Sequence, residues 1–252
     1  MTKIPTLQKL LEAGVHFGHQ SRRWNPKMKP YIFSQQSGIH VIDLEKTEKA
    51  LSEAAKFIKE VSAAGRTVIF LATKKQTAEI VKEEAKRVEA MYLTHRWIGG
   101  LLTNFDTVKK TLEKLSDLET KYNNKESGLT KRELLFLKRG IDKMERTLGG
   151  VRNLNRLPDA IFIVDARKED NAVKEARKMN IPVVALVDTN ADPTGVDYPI
   201  PANDDAIKSV SLLVKTIANA YEEGKRIWEK KSADNAKKAE ASREKITETA
   251  TT

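Results

Sequence analysis

The chain of 252 residues is 40% hydrophobic and 32% charged, which is typical of a globular protein with a heavily ionised surface. Lys and Arg total 45 against 35 Asp and Glu, and the formal net charge of +10 predicts a polyanionic partner, either nucleic acid or an anionic membrane. The lack of cysteine excludes disulfides, Cys-ligated metals and thiol nucleophiles, and it fits a reducing cytoplasm.

The N-terminal residues predict a short helix and no targeting segment. The helix is expected from Thr6 to Ala13, with Gly14 as its stop. Residues 1–14 carry neither the apolar core of a signal peptide nor an Arg-rich, Ser-rich transit pattern. No apolar run approaches the ~18 residues that a membrane span needs, so we expect a cytoplasmic protein with no membrane partner.

Residues 13–42 form a basic and aromatic segment that contains no acidic residue. Its main cations and aromatic side chains are Arg22, Arg23, Lys27 and Lys29, alternating with Phe17, Trp24, Tyr31 and Phe33. Because Pro26 and Pro30 interrupt regular structure, we predict an extended arm. Phosphate groups favour cations that have no neighbouring carboxylates, so the arm is predicted to face RNA.

Strand and helix patterns alternate along most of the remaining chain. Strands are predicted at 38–42, 66–73, 91–94, 159–166 and 182–188. Helices are predicted from the N-cap Asp43 to Gly65 and at 76–89, 173–179 and 204–228. The later apolar runs lack polar alternation, as is typical of parallel strands covered on both faces. The pattern predicts an α/β fold built from right-handed βαβ units.

A helical insertion interrupts this alternation. Two segments between residues 104 and 150 each carry a narrow apolar seam at three-four spacing, and residues 123–128 supply a turn. This pattern predicts an antiparallel coiled-coil hairpin. We therefore expect an α/β domain of residues 1–105 and 150–228 with the basic arm at its N-terminus, a hairpin of residues 106–149, and a charged tail of residues 229–252 that is a frayed helix or disordered.

Three shorter windows also carry cations and no acidic residue, namely 61–78, 90–105 and 146–158. They add Lys74, Lys75, Arg96, Arg152 and Arg156 to the candidate RNA-facing surface. Loops of α/β proteins are often basic by chance, and this alternative stays open for the shorter windows.

Lys74 and Lys75 directly follow a predicted strand, at the sheet edge where α/β proteins bind ligands. Together with Asp165 they suggest an alternative, an enzyme or binding module for a phosphorylated small molecule. Against it, the chain contains no G-x-G-x-x-G, no G-x-x-x-x-G-K-[ST] and no G-x-S-x-G elbow. We expect no catalytic residue.

Histidines and strand-end aspartates offer a tentative metal site. The set is His16, Asp188, Asp204 and Asp205, and it would suit Zn²⁺ or Mg²⁺. No spacing requires a metal, and N-capping or helix-dipole pairing explains Asp165 and the other aspartates equally well. We expect no cofactor, with this set as the open alternative.

Three segments resemble the bacterial small-subunit ribosomal protein S2 family: LLEAGVHFGHQSRRWNPKMKPYIF, HRWIGGLLTNF and LPDAIFIVDARKEDNAVKEARKMNIPVVALVDTN. The resemblance runs from about residue 4 to residue 228 in consistent order. It implies a flavodoxin-like parallel sheet with an inserted coiled-coil hairpin, and a structural role on the small subunit. The implied partners are small-subunit rRNA and other ribosomal proteins, including the mRNA-binding ribosomal protein S1. A homo-oligomer is not expected.

The resemblance implies that residues 16–29, Lys74, Lys75 and residues 96–104 lie near rRNA, and the acid-free window 146–158 adds Arg152 and Arg156. The candidate RNA-binding residues are His19, Arg22, Arg23, Trp24, Lys27, Lys29, Lys74, Lys75, Arg96, Arg152 and Arg156. A hinge where the hairpin leaves the body is predicted at Trp97, Gly99, Gly100 and Asn104, because Gly permits unusual dihedrals and Asn104 can cap the next helix. Ribosomal protein S1 is expected to dock on the globular domain and the hairpin base, near His16 and the aspartates. An adaptor role away from the ribosome, using the hairpin, is a third possibility.

Overall fold

The computed structural model describes residues 3–124 and 130–249, with side-chain burial described as far as residue 234. Within these ranges no helix is long and apolar enough to cross a membrane. Most of the predicted hairpin turn at 123–128 lies outside the described residues.

The N-terminal residues fold into a short helix and a small antiparallel sheet. Helix α1 spans Leu7–Glu12, and strands β1 (Phe17–Gln20), β2 (Ile32–Gln36) and β3 (Ile39–Ile42) pair in the order β1-β3-β2. The prolines lie in a 3-10 turn, Pro26–Tyr31, which buries Met28 completely. The prediction of an extended arm is therefore wrong. Residues 13–42, which we continue to call the arm, are compact because Met28 anchors them in a hydrophobic core.

The centre of the fold is a five-stranded parallel sheet that follows helix α2 (Leu44–Ala63). Its strands are β4 (Val68–Leu71), β5 (Met91–Leu93), β6 (Ala160–Val164), β7 (Val183–Val187) and β8 (Tyr198–Pro201). They lie in the order β5-β4-β6-β7-β8, which is 2-1-3-4-5 by appearance along the chain. This is the flavodoxin-like order, so the predicted fold class is confirmed.

Strand β8 escapes prediction from the sequence pattern. Pro199 and Pro201 lack the backbone N–H that a central strand would donate, and proline normally argues against a strand. The structure tolerates both because β8 pairs only with β7 at the sheet edge, where Tyr198 lies opposite Val184.

Helix α3 (Lys75–Arg87) connects β4 to β5. Between β5 and β6 the chain forms two long helices that contact each other. They are α4 (Phe105–Asn123) and α5 (Lys131–Leu148). Near the body, Leu112, Leu115 and Leu148 are buried, whereas the seam residues farther out, such as Leu134 and Leu137, are only half-buried. The two-helix insertion is present, and its coiled-coil geometry stays a prediction.

Helices cover both faces of the central sheet. α2, α3 and α7 (Ile207–Thr249) pack over Phe70 and Phe162. On the other face α6 (Asp170–Lys178) and the hairpin base cover Ile69 and Ile163. α7 continues beyond Trp228, so residues 229–249 are helical rather than disordered.

Two glycines, one closely packed and one with open space around it, provide a matched test of how the hairpin attaches to the body. A Cβ added to Gly150 would lie 2.1 Å from the carbonyl oxygen of Tyr92, whereas one added to Gly140 in α5 meets nothing within 4 Å. We expect Gly150→Ala to lower the free energy of unfolding by about 1–3 kcal/mol through overpacking. Gly140→Ala should raise it by about 0.5–1 kcal/mol, because alanine is the better helix former.

Urea unfolding of the full chain measures both changes. Equal stability of Gly150→Ala and the wild type would mean that the close contact between the hairpin end and β5 is absent in solution.

Candidate nucleic-acid interface

The arm lies against the carboxyl edge of the parallel sheet. The backbone N–H of His19 donates to the Thr189 hydroxyl at 2.8 Å, and the N–H of Asn25 donates to the Thr189 carbonyl at 2.7 Å. Gly18 permits this approach, since a Cβ there would lie 2.5 Å from the Thr189 methyl group. The arm and the residues that follow the strands therefore form one surface.

Lys74, which follows β4, occupies the centre of that surface. Its Nζ lies 2.7 Å from Asp165, 2.8 Å from Asp204 and 2.8 Å from Asp205. Burial by itself lowers the pKa of Lys74, but the three carboxylates outweigh it and raise that pKa, so the ammonium stays charged. Asp165 has a φ of +74°, a conformation that costs free energy for a non-glycine residue and that these contacts hold in place. Lys74 is thus bound to carboxylates rather than free for phosphate.

His19 belongs to the same group of charges. Its Nδ1 lies 3.1 Å from Asp188 and its Nε2 3.4 Å from Asp205. The hydrogen bond with Asp188 raises the pKa of His19, and the charges of Asp188, Asp204 and Asp205 add to this although burial opposes it. The imidazole is therefore drawn toward its protonated form beside the aspartates.

Asp204 and Asp188 are the most deeply buried carboxylates of the group, each with 1% of its side chain exposed. For Asp204 this burial changes the pKa. Burial raises its pKa to about 7, with the charges of Asp188 and Asp165 adding to the effect. Its Oδ2 has no hydrogen-bond partner. N-capping does not explain this residue, because the backbone N–H groups of Asp205 and Ala206 donate to Asn203 instead.

The aspartates of the tentative metal set contact His19 and Lys74. No group of three or more His, Asp or Glu side chains among the described residues is arranged to hold a metal ion. His16 packs its ring against Phe17, with centroids 4.0 Å apart, and it is His19 that contacts the aspartates. The set therefore stays a prediction.

The structure pairs several of the predicted RNA-binding cations with carboxylates. Lys27 lies 2.7 Å from Asp192, which is distant in the sequence, and Arg156 lies 3.2 Å from Asp159, three residues further along the chain. Arg152 forms an ion pair with Glu119. Trp24 is half-buried and packs on His40, with ring centroids 5.0 Å apart.

The remaining predicted cations are exposed and have no ion-pair partner within the part of the chain that the structure describes. Arg22 donates only to Gln20, at 3.1 Å. The others are Arg23, Lys29, Lys75 and Arg96. We call these four residues and Arg22 the free cations. Lys75 is the first residue of α3, where the helix dipole and the free N–H groups also favour anions. These five side chains are what the surface offers to a polyanion.

The predicted hinge is held by an acidic residue that sequence reasoning missed. Glu175 on α6 accepts hydrogen bonds from the Trp97 indole at 3.0 Å, from the Gly100 N–H at 2.8 Å and from the Leu102 N–H at 3.1 Å. Burial opposes these donors, but together they lower the pKa of Glu175. Gly100 has a φ of +85°, as its predicted role requires. Asn104 occupies the N-cap position of α4, although its side chain bonds the Thr107 hydroxyl rather than a backbone N–H.

Comparison with known proteins gives consistent matches. The family model for ribosomal protein S2 matches residues 10–224. A protein of Thermobifida fusca named small ribosomal subunit protein uS2 is 55% identical over 226 residues, which cover 89% of this chain and 77% of that protein. Proteins with the same name from Corynebacterium glutamicum and Nocardia farcinica are 50% and 52% identical, covering 94% and 88% of this chain and 90% and 78% of their own lengths.

The raised pKa of Asp204 has a consequence for stability. The folded chain binds this proton more tightly than the unfolded chain, in which the pKa is near 3.8. The stabilisation by neutral Asp204 is therefore complete below about pH 4 and is lost as the pH rises through about 7. We expect the free energy of unfolding of the wild type to fall over this interval relative to Asp204→Asn, as measured by urea unfolding at a series of pH values.

The stabilisation that His19 contributes is also lost as the pH rises, because its pKa is raised in the folded chain. Repeating the comparison in a His19→Gln background separates the two groups. If the stability curves with and without Asp204→Asn run parallel in that background, Asp204 titrates normally.

Proposed function

Because the chain belongs to the ribosomal protein S2 family, we propose that it binds small-subunit rRNA through the free cations of the arm and of the neighbouring loops. The family assignment itself makes the chain a structural component of the small ribosomal subunit that serves translation and is not an enzyme. On the cytoplasmic ribosome it associates with rRNA and with other ribosomal proteins. Which side chains contact the RNA is the subject of the proposal.

The free cations carry the proposal. Arg22 and Arg23 are adjacent in the 3-10 turn Ser21–Arg23, both are exposed, and neither pairs with a carboxylate among the described residues. Lys75 and Arg96 follow β4 and β5, which are neighbours in the sheet. An unpaired guanidinium contacts phosphate without first breaking an ion pair, so these side chains supply most of the electrostatic binding free energy.

Lys74 acts as a structural cation in this proposal. Its contacts with three aspartates hold the residues that follow β4, β6 and β8 together, which positions Lys75 and the arm. The alternative enzyme needs Lys74 as a phosphate ligand or a base. An ammonium whose pKa is raised and whose partners are carboxylates serves neither role.

We also propose ribosomal protein S1 as a specific protein partner of the arm. Each strand of the small sheet exposes one large apolar side chain: Phe17 on β1, Phe33 on β2 and Ile39 on β3. Phe33 is 75% exposed. Large exposed apolar side chains that carry no charge suit a protein partner better than the phosphates of RNA.

Charge reversal in the arm tests the rRNA proposal. Small subunits stripped of this protein are titrated with the wild type, with Arg22→Glu/Arg23→Glu, and with Lys49→Glu/Lys56→Glu on the exposed surface of α2 as a control of equal charge change. The arm variant should bind more weakly, and its log–log salt slope should be shallower by about 2, since each lost phosphate contact lowers it by about 1. Identical curves for both double variants would remove the arm from the proposed interface.

A second binding experiment tests the protein partner. We expect Phe33→Ser to weaken the binding of purified ribosomal protein S1 to reconstituted small subunits by ten-fold or more, roughly the effect of losing a central aromatic anchor. Phe136→Ser is the matched control, because Phe136 is 59% exposed on α5. Retention of S1 by the Phe33 variant would exclude the small sheet as its docking surface.

A further inference from the structure

A groove runs along α6, and none of its lining residues belongs to the Lys74 group. One wall is the face of α6 that carries Val173, Lys174 and Arg177, and the opposite wall is the turn Pro193–Gly195. The cavity has a volume of about 400 Å³, and a second cavity of about 330 Å³ continues it past Arg177. We call the two together the α6 groove. The first cavity alone is within the size range of pockets for small organic ligands.

The charges that line the groove are three carboxylates, Asp170, Asp192 and Asp197, and three cations, Arg167, Lys174 and Arg177. Asp197 accepts a hydrogen bond from the backbone N–H of Val183 at 2.8 Å. Asp170 forms an ion pair with Lys174, and Asp192 lies 2.7 Å from Lys27. Hydrogen bonds from Lys27 and Thr194 lower the pKa of Asp192 to about 2, so its charge is permanent and already compensated.

Two guanidinium groups of the groove remain unpaired. Arg167 follows β6, and Arg177 lies near the end of α6. Both are exposed, and neither has a hydrogen-bond or ion-pair partner among the described residues. The α6 residues that line the groove, 170 to 177, span roughly 10 Å at 1.5 Å per residue. The groove thus offers two separated sites for anionic groups.

A buried acceptor at the cavity wall also lacks a partner. Asn190, which follows β7, lines the cavity, and its Oδ1 is buried without a hydrogen bond. Leaving such an atom unpaired costs about 1–3 kcal/mol, and a ligand donor removes this cost once a rotation of the amide brings the Oδ1 into the cavity. Ala166 and Val173 supply apolar surface beside it. A ligand that fits has anionic groups at both ends, a flat apolar body and an N–H donor.

We propose that the α6 groove holds one unpaired nucleotide of an RNA strand. The base lies against Val173 and donates an N–H to Asn190 Oδ1, while its flanking phosphates contact Arg167 and Arg177. This inference rests on the proposed rRNA-binding function and adds to it a site for single-stranded RNA. Unpaired bases present donors that a folded duplex hides, which is how proteins usually recognise RNA.

Three probes test the site on the full chain by fluorescence anisotropy at low salt. They are a labelled tetra-adenosine ribonucleotide, an abasic tetranucleotide with the same phosphates, and a tetra-glutamate peptide. We expect saturable binding of the tetra-adenosine strand that is about ten-fold tighter than that of the abasic strand. Equal binding of these two strands, or a preference for the peptide, overturns the proposal.

Two variants separate the phosphate contacts from the base contact. Arg167→Ala/Arg177→Ala should weaken both strands by ten-fold or more and make the salt slope shallower by about 1.4, at about 0.7 per single-strand phosphate. Asn190→Leu, which keeps a similar volume, should weaken only the tetra-adenosine strand by three- to ten-fold, roughly one hydrogen bond, with the salt slope unchanged. Lys49→Ala/Lys56→Ala is the charge control, and urea unfolding confirms that each variant is folded.

The outcomes distinguish this inference from the proposed function. If the groove variants bind the tetra-adenosine strand as the wild type does, the groove proposal fails, while binding to stripped small subunits still stands on the Arg22/Arg23 comparison. If the wild type fails to bind stripped subunits, the proposed function fails and the groove proposal falls with it.

Discussion

The ion pairs of Lys74 determine the geometry of the carboxyl edge. One ammonium contacts carboxylates from the loops after β6 and β8, so three separate segments of the chain meet at a single point. Removing Lys74 from this group leaves buried carboxylates without their counter-charge, which costs roughly 3–5 kcal/mol. The edge therefore acts as a rigid platform, and the arm, the start of α3 and the groove along α6 all take their positions from it.

The platform also separates two kinds of surface. The aspartates that bind Lys74 and His19 concentrate negative charge at the sheet edge, whereas the small antiparallel sheet exposes the large apolar side chains Phe17, Phe33 and Ile39. The free cations lie at the turns of the arm and after β4 and β5. A protein partner can thus bind the apolar surface while RNA binds the adjoining cations on the same edge of the fold.

Periodicity was sufficient for the parts of the fold that depend on local patterns. The apolar runs at 68–71, 160–164 and 183–187 are strands, and the three-four spacing at 105–148 marks two helices. β8 could not be found in this way, because its prolines are tolerated only at a sheet edge, and its edge position is determined by the tertiary fold. The arm was misjudged for a similar reason, because the burial of Met28 depends on residues far away in the sequence.

The candidate interface was predictable only in part. Windows without acidic residues identify cations that lack carboxylate neighbours in the sequence, but Lys27 and Arg152 acquire them in space from Asp192 and Glu119. For Lys74 a signal was available: Lys74 and its partner Asp165 both follow strands, and parallel strands end at a common edge. Glu175 gave no such signal, since its partners are mostly backbone N–H groups.

The declining burial along the two-helix insertion has a dynamic consequence. Near the body the helices share the main core, whereas their outer turns are stabilised by half-buried seams and by local caps such as the Thr130–Glu133 capping box. Local opening free energy follows buried apolar contact, so we expect amide hydrogen exchange to be slowest at the base of α4 and α5 and faster in the outer turns that the structure describes. The insertion is therefore a graded element, more strongly held where it joins the body than in those outer turns, and it can adjust to the surface that it meets without disturbing the sheet.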